Sequence, residues 1–161
     1  MLAASMLLGI AGVASAQSSA NVTINGTVIQ AITLTVSSST LNLGNMVAGT
    51  IPTPISAASS PIMFTLTGNG SSVVSVTFSQ VTLSGPSGST ITFTPTVAAD
   101  SLSANQGSAP SISSGSTVTL SGGNYSSANY YFWLGGSVGT LPNTQTPGAY
   151  SGTFTLQVAY N

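Results

Sequence analysis

Apolar and polar residues alternate with a period of two through most of the chain, and no stretch keeps a helical period. A period of two puts successive side chains on opposite faces of a strand, so each such run reads as a half-buried strand. The clearest run closes the sequence: Tyr150, Phe154, Leu156, Val158 and Tyr160 share one parity, and Ser151, Thr153, Thr155 and Gln157 the other. Near the other end, residues 17–36 alternate for longer than one ordinary strand, with Val22, Ile24, Val28, Ile32, Leu34 and Val36 on even positions. Strands average about 5–6 residues, so this stretch divides in two, with the break near Asn25-Gly26. Asn-Gly favours a tight hairpin turn that folds the first segment back on the second. Alternatively Gly26 is a hinge, and the first segment leaves the domain as a free arm carrying Val22 and Ile24.

Between these ends the runs are short. Leu41-Asn42-Leu43 gives a brief strand, and 51–61, rich in Pro, a loop or edge, because Pro cannot donate to a ladder. Ile62, Phe64 and Leu66 alternate up to Gly68-Asn69-Gly70; Val74, Val76 and Phe78 follow, then Val81 and Leu83 up to the turn Gly85-Pro86-Ser87-Gly88. Ile91 and Phe93 begin another strand. Residues 99–116 hold few large apolar side chains and read as the longest irregular loop. Val118 and Leu120 resume the alternation, 129–134 form an aromatic strand, and 135–147 connect to the last one. Seven to nine short strands separated by turn signals, with no internal repeat, predict a single all-β domain folded as an antiparallel, immunoglobulin-like sandwich.

Composition narrows what such a sandwich can do. There is no Lys, Arg, His, Glu or Cys among the 161 residues, and Asp100 is the one charged side chain. A hydrophobic content of 42% with regular alternation separates the chain from disordered sequences of low charge. Ser and Thr, 51 residues together, take the solvating role that charges usually hold. Nucleic-acid binding draws on Lys and Arg against phosphate and is excluded. Neither a disulfide framework nor a Cys or His metal site can form, and no cofactor is expected. With one carboxylate, stability should hardly change from about pH 2 to pH 8. A net charge of −1 leaves little repulsion between copies, which favours self-association.

Enzymatic chemistry fails on inventory. A Ser or Thr nucleophile lacks a His or Lys base, and glycoside hydrolysis needs a second carboxylate, so no catalytic residue and no small-molecule substrate are expected. Asp100, beside Ala98, Ala99 and Ser101, reads as a solvated turn residue. Tyr130-Tyr131-Phe132-Trp133 places aromatics on both parities, which fits a strand buried on both faces or, as the rival reading, a sugar-stacking platform. Four sequons, at Asn21, Asn25, Asn69 and Asn124, are candidate N-glycosylation sites if the chain meets a glycosylating secretory pathway. Residues 1–16 join an apolar run to Ala14-Ser15-Ala16, the small-x-small form of a signal-peptidase site, so secretion is expected. The run falls short of the ~20 residues of a membrane span.

The ending Gly-Ala-Tyr-Ser-Gly-Thr-Phe-Thr-Leu-Gln-Val-Ala-Tyr-Asn, with Tyr160 penultimate and Gly148 fourteen residues from the end, resembles the C-terminal strand of pilin-like secreted β-sandwich proteins. These include chaperone-usher pilins, spore-coat-protein-U-like domains and a related bacterial family of unknown function. A signal peptide, an alternating arm and Leu41-Asn42-Leu43-Gly44 are similar in order too. The resemblance implies a sandwich lacking one strand, filled by the N-terminal arm of the next subunit. The donor would be Val22, Ile24 and Val28; the acceptor groove would be bordered by Gly148, Phe154, Leu156, Val158 and Tyr160. It implies an extracellular, cell-surface pilus that is a homopolymer of identical subunits. Assembly would use a periplasmic chaperone and outer-membrane usher, or neither, as in some archaeal filaments built on the same principle. The expected organisation is then 1–16 signal peptide, 17–28 arm and 29–161 sandwich. The competing expectation is a self-contained secreted surface-coat or carbohydrate-binding module using Tyr130, Tyr131 and Trp133.

Overall fold

Alternation in the sequence becomes antiparallel ladders in the fold. The structure, a computed structural model, describes residues 22–161; the expected signal peptide and Asn21 lie outside the described residues. Among the described residues nine strands follow one another: β1 Thr33–Val36, β2 Met63–Asn69, β3 Val73–Thr77, β4 Val81–Ser84, β5 Thr90–Asp100, β6 Ser111–Ile112, β7 Thr117–Thr119, β8 Ser127–Val138 and β9 Gln157–Tyr160. They form two sheets, one in the order β1-β2-β8-β5-β4 with β6 beside β5, the other β7-β3-β9. Every pairing is antiparallel. The chain is an all-β, two-sheet antiparallel sandwich.

Strand β8 is the spine. Its first half pairs with β2, Met63 opposite Trp133 and Asn69 opposite Ser127; its second half pairs with β5, Leu134 opposite Val97 and Val138 opposite Phe93. Even positions, Phe132 and Leu134 among them, join Leu66, Val74, Val76, Leu120 and Leu156 in the core between the sheets. Odd positions face outward, yet Trp133 is 1% exposed. It packs with Ala57 and Ala98, flanked by Met63, Ala109 and Tyr131. The aromatic strand is therefore buried on both faces.

The cover over that outer face corrects the reading of 99–116 as one irregular loop. β5 continues to Asp100, a 3₁₀ turn spans Ser103–Ser108, and β6 pairs Ile112 with Val97. A second 3₁₀ turn, Ala57–Ser59, completes the cover, and the Gln106 side-chain amide ties the two by donating to the Ala57 and Ser60 carbonyls at 3.0 and 2.8 Å. Asp100 accepts from the Leu102 backbone N–H at 2.8 Å and the Asn105 amide at 3.2 Å, which starts the turn rather than only solvating it. Alanines at 98 and 99 hid this from the sequence: they leave room for a covering segment but give no apolar stripe.

Residues 135–147 also differ from the expected connector, because β8 runs through Gly135 and Gly136 to Val138. At Gly135 a Cβ would overlap the backbone of Ile55 and Ala57, so glycine there lets the segment before the 3₁₀ turn cross against the sheet. Ile55 is bridged to Gly136 by that crossing.

Candidate functional site

The described part of the arm, from Val22 onward, forms no hairpin at Asn25-Gly26 and enters no strand before Thr33. Val22, Ile24 and Val28 are 85%, 92% and 91% exposed, so three apolar side chains at strand spacing have no cover among the described residues. The described residues thus lack the hairpin of the first reading. Its root is held at Gln30, whose carbonyl accepts from the Tyr160 hydroxyl at 2.8 Å and whose side-chain amide donates to Ser127 Oγ at 3.4 Å. Tyr160 Oη also accepts the Asn69 backbone N–H at 2.6 Å. One phenol thus joins the arm root, the end of β2 and the end of β9.

The final strand is only partly laddered. Gln157–Tyr160 pairs with β3, Val158 opposite Val76 and Tyr160 opposite Val74. Upstream, Ser151 is bridged to Ser84 at the edge of the other sheet. Residues 152–156 lie between these two attachments and, among the described residues, belong to no backbone ladder. Leu156 is buried in the core, while Phe154 is half-buried, with ring centroids 6.1 Å from Phe64 and 6.2 Å from Phe78. Residues 38–43 are a second segment outside any ladder; they were expected to contain a short strand, but only Leu41 and Leu43 turn toward the core.

These two unladdered segments wall an open groove of about 330 Å³. Its floor is the core face of the larger sheet, with Ile62, Phe64, Leu134, Phe93, Val81 and Leu83, and its walls carry Leu41, Leu43, Gly152 and Phe154. A wider cleft of about 800 Å³ continues from it past Met46 and Tyr150. Following the register from Phe132, opposite Phe64, to Val138, level with Phe93 and Val81, takes six residues along β8. At about 3.3 Å per residue the floor is about 20 Å long, and Leu83 extends it to about 26 Å. Val22 to Val28 as an extended strand is also six residues, about 20 Å.

Gly148 lies at the far end of the cleft. Its φ is +145°, a region that disfavours any residue with a Cβ, and a Cβ there would overlap Pro86. Two residues on, the Tyr150 hydroxyl donates to the Thr146 carbonyl at 2.7 Å and accepts from the Gln145 amide at 2.6 Å. Gly148 thus shapes the turn that launches the wall segment rather than touching the groove floor. Val158 and Tyr160 lie beyond the groove in the β9 ladder and Leu156 is buried in the core, so of the strand residues named in the sequence only Phe154 lines the groove. The floor was not distinguishable in the sequence, since Ile62, Phe64 and Phe93 read like any core residues; Leu41 and Leu43 were signalled by their alternation.

The remaining candidates separate by exposure. Trp133 offers no ring face to solvent, which removes it from a sugar-stacking platform; Tyr131 stacks on it at 6.4 Å beneath the outer cover. Asn69 is buried with its side-chain amide donating to the Gly70 carbonyl and to Ser72 Oγ, an arrangement with no space for a glycan. Asn25 and Asn124 are exposed.

The fold is a two-sheet β-sandwich with one core face open between two unladdered segments, and the apolar side chains of the described arm are exposed. Residues 42–160 match the family described as Domain of unknown function (DUF4402), which covers more than half of the chain, and the protein belongs to that family. No curated protein matches it.

Proposed function

We propose that the protein is the structural subunit of an extracellular filament, polymerised by insertion of one subunit's N-terminal arm into the groove of the next. The observation that carries this reading is the match between an exposed apolar arm and an open apolar groove of the same length in one chain. A strand laid between 38–43 and 152–156 would give both walls the backbone partners they lack, while Val22, Ile24 and Val28 cover the floor. Main-chain bonds at about 1 kcal/mol each and apolar burial at about 1.5–3 kcal/mol per side chain favour insertion. The near absence of charge leaves no long-range repulsion to oppose it.

Direction follows from the poles. The arm leaves beside Asn69 and Ser127, whereas the groove lies along the other half of β8, from Phe132 to Val138, and beyond. Arm and groove at opposite poles make a heterologous contact, which propagates as an open polymer instead of closing as a symmetric dimer. The groove is shut at its inner end by Leu66, Val74 and Val76, all fully buried, and opens through the cleft near Met46 and Tyr150. An inserted arm therefore runs antiparallel to 152–156, with Val28 nearest the mouth.

Deleting residues 17–26 is expected to give a folded, secreted monomer that forms no filaments, scored by electron microscopy and size exclusion. Filaments of normal length from that variant would refute strand donation. A full-length protein that stays monomeric at high concentration would instead favour a self-contained secreted coat module.

A further inference from the structure

Strand donation, if it is the assembly mechanism, leaves almost no slack between subunits. Val28 is the last exposed donor residue, and Gln30 is already fixed to its own body by the Tyr160 hydroxyl and by Ser127. Two residues of extended chain reach at most about 7 Å. When Val28 sits in the mouth of a groove, the pole that bears Gln30 is pressed against the rim of that mouth. Beads on a flexible string are not available to this geometry.

Each of the two surfaces brought together carries an unexplained apolar side chain. At the arm pole, two residues before Ser127, Tyr125 is 66% exposed and has φ +64°. A bulky residue in the left-handed region is uncommon and costs about 1–2 kcal/mol. The turn is braced there by the Gly70 backbone N–H donating to the Ser126 carbonyl at 2.7 Å and by Ser71 Oγ donating to the Gly122 carbonyl at 2.6 Å. Nothing among the described residues covers the ring so displayed. At the groove mouth, Met46 and Ala48 face the cleft while Val47 between them is 62% exposed, and Ile51 is 68% exposed. The loop is tied at its base by the Gly49 N–H to the Leu141 carbonyl at 3.0 Å and by the Leu141 N–H to the Thr50 carbonyl at 2.9 Å. Neither side carries a charge that would have to be desolvated.

We infer that Tyr125 of one subunit docks on Val47 and Ile51 of the subunit that accepts its arm, a body-to-body contact that adds to strand donation and stiffens the joint. The occupant is a second copy of this chain, because arm anchoring at Gln30 brings that copy's Tyr125 turn to the mouth. The inference rests on the strand-donation reading, but its test can fail separately.

The chain contains no cysteine, so introduced thiols report without background. Filaments are assembled under reducing conditions from full-length Tyr125→Cys/Val47→Cys subunits, then oxidised and dissolved in hot detergent without reductant. A ladder of covalent oligomers is expected, reaching tetramers and beyond; the pair Leu102→Cys/Val47→Cys, with Leu102 exposed after β5, should give none. A second pair, Asn124→Cys/Ile51→Cys, guards against unfavourable thiol geometry. Intact filaments that give no ladder from either contact pair overturn this inference and leave strand donation standing. Absence of filaments from the unmodified protein overturns strand donation itself. Should a contact pair block assembly of a subunit that still folds, the surface is again implicated, and Tyr125→Ser alone should lower polymer yield severalfold; unchanged yield and filament stiffness in that variant would overturn the contact.

Discussion

Tyr160 gains its importance from its oxygen rather than from its ring. The hydroxyl accepts the backbone N–H of Asn69, a buried residue, and donates to the carbonyl of Gln30. Tyr160→Phe keeps the ring packing and strands the Asn69 amide without its partner, which costs about 1–3 kcal/mol for a buried polar group. The expected result is an unfolding free energy lowered by that amount with an unchanged m-value, and an arm root more accessible to proteolysis at Gln30. A variant as stable as the parent would mean that another group or a water takes over the Asn69 amide. The sequence marked Tyr160 through its place next to the terminus but gave no hint of these bonds, because both partners are backbone atoms far away along the chain.

Among the elements, the arm and the last strand show what period-two alternation can and cannot specify. Alternation assigns a face to be buried; it does not say which chain buries it. Hence 17–36 read equally well as a hairpin or as a free arm; in the described residues no ladder forms about Asn25-Gly26, and Val22, Ile24 and Val28 are exposed. The same pattern in 150–160 suggested one continuous strand, whereas the ladder holds only Gln157–Tyr160 and leaves 152–156 open. Core strands were legible because Val74, Val76, Phe93 and Phe132 sit on one face of each run. The outer cover at Ala57–Ser59 and Ser103–Ser108 was not, since Ser, Ala, Gly and Asn carry no periodic signal and its purpose is the burial of Trp133 on another strand. The separation of subunit folding from polymerisation is testable on the arm. Ile24→Asp changes a side chain 92% exposed in the subunit, so unfolding of the monomer should shift by less than about 0.5 kcal/mol. Filament formation should nevertheless be lost, because an unpaired carboxylate would enter an apolar groove. Loss of monomer stability on this substitution would place Ile24 in its own subunit's core.

For the whole molecule, the scarcity of ionisable groups makes stability insensitive to acid and sensitive to alkali. Acid unfolding depends on carboxylates and histidines that bind protons differently when folded, and this chain has one carboxylate side chain and no histidine. On the alkaline side, Tyr130 lies against the Phe132 ring, at 5.6 Å between centroids, and its phenol pKa is raised, chiefly by burial and secondarily by the negative charge of Asp100. An unfolded tyrosine ionises near pH 10, so above that pH the unfolded chain loses a proton that folded Tyr130 retains. The unfolded state then binds fewer protons, and stability falls as pH rises. The contribution is fully present below about pH 10 and is lost progressively as pH climbs through the higher folded value. Thermal unfolding followed from pH 3 to pH 12 should give a nearly constant midpoint up to about pH 9 and a decline above pH 10. Tyr130→Phe should reduce the slope of that decline without changing the plateau at low pH, since the ring stays and only the ionisable hydroxyl goes. A strong fall below pH 5 would contradict the charge argument, and an alkaline slope unchanged in Tyr130→Phe would show that Tyr130 is not its source.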